Sequence, residues 1–127
     1  MAVHARQPYD PDNIFARILR GEIPAKKVYE DAFAFAFHDI NPQAPIHVLV
    51  IPKGDYVSMA DFCEHAPSAL VAGFFRAVAK VAAALGAEEK GYRILANAGP
   101  DAHQEVPHFH VHIFAGRPLG PMLAHRQ

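Results

Sequence analysis

The sequence predicts an α+β domain built on an antiparallel sheet. Three observations predict it. Short alternating or wholly apolar runs at 33–37, 46–51, 92–96 and 106–115 read as strands. One long amphipathic stretch, with Val71, Phe74, Phe75, Val78, Val81 and Leu85 on one stripe, reads as the main helix. The order of elements lacks the regular strand–helix alternation of a parallel sheet.

Each element has a local cause. Residues 1–12 are polar, carry two prolines and show no periodicity, so they read as a flexible N-terminal arm ahead of a single domain at 13–127. Asp12 is placed to cap a short helix bearing Ile14, Phe15, Ile18 and Leu19, and Gly21 to end it. Lys26 to Glu30 is expected as a short edge strand. Phe33, Phe35 and Phe37 alternate with Ala34 and Ala36, giving a strand with one heavy face. The loop from His38 to Pro45 is closed off by Pro42 and Pro45. Ile46 to Ile51 is apolar except for His47. Met59 to Glu64 is expected to form a helical turn. Pro67 suits the first turn of the main helix and Gly86 its end. A loop at 97–104 leads to the last strand, where Pro107 is tolerable because it sits at the start.

That last strand holds His108-Phe109-His110-Val111-His112. Side chains of an extended segment alternate between faces, so the three imidazoles share one face, about 6.5–7 Å apart, with Phe109, Val111 and Ile113 on the other. Sheet stability does not call for three rings titrating near pH ~6.5 on one small surface. Such a surface suits an anion, a metal ion or proton transfer. Two readings stand at this point: a metal site, since His-x-His on a strand can bring two rings to one ion, and metal-free histidine chemistry on a phosphate.

Composition narrows the classes. The 127 residues are enough for one domain with a substantial core, and 51% hydrophobic with 20% charged residues is ordinary for a globular chain. The net charge of −1, without a basic stripe, disfavours nucleic acid as partner. Cys63 is the single cysteine, which excludes an intrachain disulfide and a Cys-x-x-Cys zinc knuckle. No apolar run is long enough to span a membrane, and no secretory leader is read at the start, so a cytoplasmic protein without a membrane partner is expected.

The segment His108 to Phe114 resembles the His-φ-His-φ-His-φ-φ signature of the histidine triad superfamily. The likeness extends through Asn13-Ile14-Phe15, Gly21 to Lys26, Phe37 to Pro45, His47 to Lys53, Gly91-Tyr92-Arg93 and Asn97, and is similar to the Hint (histidine triad nucleotide-binding) branch over most of residues 13–117. The resemblance implies a five-stranded antiparallel sheet with two helices, paired in a homodimer as one ten-stranded sheet. It implies hydrolysis of purine nucleoside 5′-phosphoramidates, and of related mixed phosphates such as acyl-adenylates, through a nucleotidylated histidine. No metal and no other cofactor is implied.

By matching positions, the resemblance makes His110 the nucleophile, His112 its partner at the phosphate and leaving group, His108 the residue that orients the nucleophile, and His47 a fourth, buttressing histidine. Asp39 corresponds to a ribose-binding carboxylate and Asn97 to a phosphate-contacting amide. Ile14, Phe15, Ile18, Ile23, Phe37, His38 and Ile40 correspond to the base pocket, whose apolar walls favour purines by stacking area without separating adenine from guanine. Glu105 stands where the branch often has a serine facing the leaving group, so it bears on leaving-group choice. The tail, Met122 to Gln127, lacks the tryptophan with which some relatives reach the partner subunit's site. Dinucleoside polyphosphate hydrolysis and a regulatory nucleotide-binding role are the competing readings.

Overall fold

The computed structural model describes residues 2–123. Its elements run α1 (Ile14–Leu19), β1 (Lys27–Glu30), β2 (Ala34–His38), β3 (Ile46–Pro52), α2 (Met59–His65), α3 (Ser68–Ala84), β4 (Arg93–Leu95) and β5 (Val111–Ala115). The five strands form one antiparallel sheet in the order β1-β2-β3-β5-β4. This is the expected sheet. There are three helices rather than two, because the turn expected at 59–64 is capped by the Ser58 hydroxyl and completes a seven-residue helix.

The sheet is covered on both faces. On one, Ala34 and Ala36 of β2, Val48 and Val50 of β3, and Val111 and Ile113 of β5 meet Phe74, Ala77, Val78 and Val81 of α3 and Phe62 of α2. On the other, Phe37, Leu49 and Ile51 meet Phe15 and Ile18 of α1. Double coverage explains why β3 is apolar almost throughout. The light face of β2 lies beneath α3, where alanine side chains leave room for the helix. Phe35 and Phe37 point away from it, whereas Phe33, which precedes the strand, sets its ring against Gly73 of α3.

Several boundaries differ from the sequence reading. Asn13, not Asp12, caps α1: its side-chain oxygen accepts the Ala16 N–H at 2.9 Å, while Asp12 donates its own N–H to Asp10 Oδ1. Gly21 follows the helix with φ +77°, a left-handed conformation that glycine takes without steric cost. Pro67 is the N-cap of α3 rather than its first-turn residue, since its backbone is extended. The last strand is also shorter than the expected 106–115. The ladder to β3 ends at the Val50–Val111 pair, and Phe109 donates its N–H to Tyr56 O at 2.7 Å instead. The alternation of faces nevertheless continues back to His108, because Phe109 remains in the α3-side core. Among the described residues, no helix is long and apolar enough to cross a membrane.

The arm at 2–12 has no regular structure but is anchored. Val3 is buried, Ser58 Oγ donates to Ala5 O at 2.6 Å, and Arg6 pairs with Glu64.

Close approach of α3 to the start of β2 yields a test. A Cβ at Gly73 would overlap the Phe33 ring, whose backbone is fixed by bonds to Asp31 and Lys53. Gly→Ala within a helix ordinarily stabilises by about 0.5–1 kcal/mol. Here overpacking, typically about 1–3 kcal/mol, outweighs that gain. Gly73→Ala should lower the urea midpoint of unfolding, and a raised midpoint would contradict the packing.

Candidate active site

The β3–β5 register builds the site on the face opposite α3. Leu49 pairs with His112 and His47 with Phe114, so His47 and His112 lie on a diagonal of one face. Their rings approach with His47 Nε2 2.9 Å from His112 Nδ1. His110 lies next along the chain, its ring centroid 5.1 Å from that of His112 and 5.0 Å from Phe15. His108 is fully buried behind it, with Nε2 3.1 Å from Pro52 O.

Hydrogen bonding assigns each tautomer. A carbonyl only accepts, so His110 Nδ1, 2.7 Å from His108 O, carries the proton and Nε2 holds a lone pair. Among the described residues that Nε2 has no partner and no buried side-chain nitrogen or oxygen lacks one, so it opens onto the cavity His110 lines. Gln43 donates its backbone N–H to His47 Nδ1 at 3.1 Å. His47 therefore carries its proton on Nε2 and shares it between His112 Nδ1 and Asp39 Oδ2, 3.3 Å away. His112 in turn carries its proton on Nε2. One ring thus offers a lone pair and its neighbour an N–H.

Burial is the main reason all four rings stay neutral. It pushes His108 down to about 4, against a bond to Pro52 O that favours the charged form. It also brings His112 to about 4, helped by the neighbouring His110 and His47 and opposed by Asp39. His110 and His47 are lowered by burial too, with Asp39 opposing in each case.

The cavity beside these rings is about 300 Å³, lined by Asp39, Asn97, Glu105, His110, His112 and Phe15 among the expected residues. Asp39 spends one oxygen on the Asn41 N–H at 2.7 Å and keeps the other near His47. Glu105 is exposed at the rim, 3.2 Å from His103 Nε2. His108 and His47 stand behind the lining rather than in it. Ile14, Ile18, Ile23, Phe37, His38 and Ile40 do not line the cavity. Ile18 and Phe37 are core residues with Ile23 packed on them, while Ile14, His38 and Ile40 are exposed, Ile40 at 91%. A sequence pattern marks a residue as apolar, but not whether it faces the cavity, the core or solvent.

Asn41, Gln43, Leu49, Ala102, His103 and Val106 also line the cavity and were not singled out from the sequence. Leu49 was within reach, since it alternates with His47 on one strand face. Ala102, His103 and Val106 carry no such signal, because tertiary bonds hold their loop: buried Gln104 donates to Val57 O at 2.7 Å and accepts from Gly99 N–H at 3.0 Å.

A family model described as the HIT domain matches residues 20–119. The chain belongs to the HIT domain family. It is 68% identical over 115 residues to an uncharacterized 13.2 kDa HIT-like protein from Azospirillum brasilense, covering 91% of this chain and 94% of that one. It is 44% identical over 115 residues to the purine nucleoside phosphoramidase of Escherichia coli K12, covering 91% and 96%. Among solved structures, a histidine triad protein from Clostridium difficile aligns with TM-score 0.80 at 40% identity, over 91% of this chain and all (100%) of that one. A HIT family hydrolase from Legionella pneumophila aligns with TM-score 0.78 at 41% identity, over 84% and 95%.

Within this HIT domain, Asp39, His47 and His112 each bring one ligand-type atom within 4.8 Å of the others, the one such group among the described residues. His and carboxylate donors suit a borderline cation such as zinc. In the tautomers assigned above, however, two of the three residues already bond each other, His47 Nε2–H to His112 Nδ1. His108 and His110 are not in the group.

Three buried rings and the half-buried His112, all neutral, make stability depend on pH. Each depressed histidine takes up a proton on unfolding once the pH falls below about 6.5. The stability tied to the neutral rings is complete above that pH and is lost as the pH falls toward about 4, the value for His108 and His112 in the folded chain. Unfolding free energy should decline between pH 7 and 5, with a slope approaching ~1.4 kcal/mol per pH unit for every ring that titrates only when unfolded. A urea midpoint that does not move over this range would contradict burial of the neutral rings.

Proposed function

We propose that the protein is a metal-independent hydrolase of purine nucleoside 5′-phosphoramidates, and of acyl-adenylates, acting through a nucleotidyl-histidine intermediate. The observation that carries this reading is the lone pair of His110 Nε2 in the cavity, beside a neighbouring N–H on His112. The name of the E. coli relative supports the bond type.

The chemistry balances on those two atoms. His110 Nε2 attacks phosphorus, the P–N bond to the amine breaks, and the amine takes the His112 Nε2 proton as it leaves. The nucleotide is then held on His110 as a phosphorus–nitrogen adduct, so one barrier becomes two smaller ones. Positive charge arising on His110 is met at Nδ1–H by the His108 carbonyl. Water, deprotonated by His112, attacks the adduct and returns the nucleoside monophosphate. Asn97, whose side chain has no partner among the described residues, lines the cavity and would contact phosphate, and Asp39 would accept from ribose hydroxyls. The reading extends to a homodimer joined sheet to sheet, supported by the partly exposed Ile94 and Leu95 of edge strand β4.

In adenosine 5′-phosphoramidate assays run in EDTA, His110→Ala should abolish turnover while adenosine monophosphate still binds. His112→Ala should cost roughly 10²–10⁴-fold, the usual worth of a positioned proton donor. Turnover by folded His110→Ala would defeat the nucleophile assignment. Activity lost in EDTA and restored by Zn²⁺ would favour the metal reading at Asp39, His47 and His112.

Asp39→Ala should weaken ribonucleotide binding by one to two decades, since a ribose hydroxyl without its acceptor costs about 1–3 kcal/mol. The 2′- and 3′-deoxy nucleotides should lose affinity in the wild type and little more in the variant. Equal deoxy penalties in both would remove Asp39 from sugar recognition and leave it as a loop cap on Asn41.

A further inference from the structure

The N-terminal arm brings one group to the histidine cluster. Tyr9, the single Phe, Tyr or Trp residue in 1–12, sets its hydroxyl 2.7 Å from His108 Nδ1 and its ring edge-on to the imidazole, centroids 5.7 Å apart. The position is held from both sides. Upstream, Ser58 Oγ bonds Ala5 O and Val3 is buried. Downstream, Asn13 Nδ2 donates to Asp10 O at 2.7 Å while the same side chain caps α1.

The direction of the Tyr9 bond follows from the other end of the ring. His108 Nε2 faces the Pro52 carbonyl, which can only accept, so Nε2 holds the proton of the neutral ring and Nδ1 is bare. Tyr9 therefore donates. It is the one partner of His108 Nδ1 among the described residues. The His108 ring is thus fixed at both nitrogens, while the carbonyl of the same residue receives His110 Nδ1–H at 2.7 Å. Without the phenol, a fully buried acceptor is left unpaired. The ring can answer by rotating away from Pro52, which shifts the backbone that aims His110.

We propose that Tyr9 is a positioning residue, which fixes the His108 ring and through the His108 carbonyl holds the His110 ring with Nε2 directed at the substrate. The proposal rests on the reading of His110 as nucleophile. It adds to it a requirement for the arm, a segment that sequence periodicity leaves unassigned.

The test is Tyr9→Phe in the full chain, which keeps the ring and removes one hydroxyl. Arg6→Ala is the control, since it breaks only the exposed arm contact with Glu64. In 15N-histidine NMR spectra without substrate, Tyr9→Phe should move the His108 Nδ1 resonance toward that of a free acceptor nitrogen and speed exchange of the His110 Nδ1–H proton. Arg6→Ala should leave both signals in place. With adenosine 5′-phosphoramidate, kcat should fall about tenfold with KM within about twofold, because the loss lies in orientation rather than binding. Unchanged ring signals overturn the proposal. So do altered signals with kcat preserved, and so does an equal kcat loss in Arg6→Ala. A wild type inactive on every phosphoramidate would sink the functional reading instead, and the ring signals would still decide whether Tyr9 holds the cluster.

Discussion

Between β3 and β5, the register that pairs Val48 with Ile113 and Leu49 with His112 sorts two chemistries onto two faces of the sheet. Valine and isoleucine go beneath α3, where Phe62, Phe74 and Phe109 pack ring against ring. Histidines go to the other face. A slip of one residue would exchange the two sets, exposing the aromatic core and burying the imidazoles beneath α3. The large apolar area that α3 and α2 cover therefore also fixes where the histidines point.

The rings on the far face share few protons. Each of the four carries one proton, and each proton is directed by a neighbour with no choice of role: Pro52 O for His108, His108 O for His110, and Gln43 N–H for His47, which then sets His112. Three of these controlling groups are backbone atoms. A site built this way tolerates changes of side chain around it but not changes of backbone path. Burial adds the electrostatic condition. Rings removed from water stay neutral near pH 7, which leaves a lone pair on one and an N–H on the next, as attack at phosphorus with loss of an amine requires.

Packing is uneven around this centre. On the α1 side the core is small, with Phe15, Ile18, Phe37, Leu49 and Ile51 as its buried members, and Phe15 belongs to both core and cavity wall. The arm completes this thinner side by seating Tyr9 on His108. The rim is polar, with His103 and Glu105 both exposed and His103 in a left-handed conformation at φ +58°, uncommon for a residue with a Cβ.

By itself, the sequence determined the parts that depend on short-range periodicity and local stereochemistry. Alternation in Phe109 to Ile113 separated histidines from core residues. The stripe from Val71 to Leu85 defined α3, and Gly21 marked the end of α1. Matching segments made Asp39, Asn97, Glu105, Phe15 and the four histidines legible as one group, and six of these eight line one cavity, with His108 and His47 directly behind. Tertiary structure decided what depends on partners distant in the chain. It ended β5 at Val111, because a strand lasts only as far as its neighbour pairs with it. It sent Ile18 and Phe37 to the core and Ile40 to solvent, because an apolar side chain carries no record of which surface it will meet. It brought Tyr9 to a histidine 99 positions away, because a single hydrogen bond across that span leaves no periodicity in the sequence.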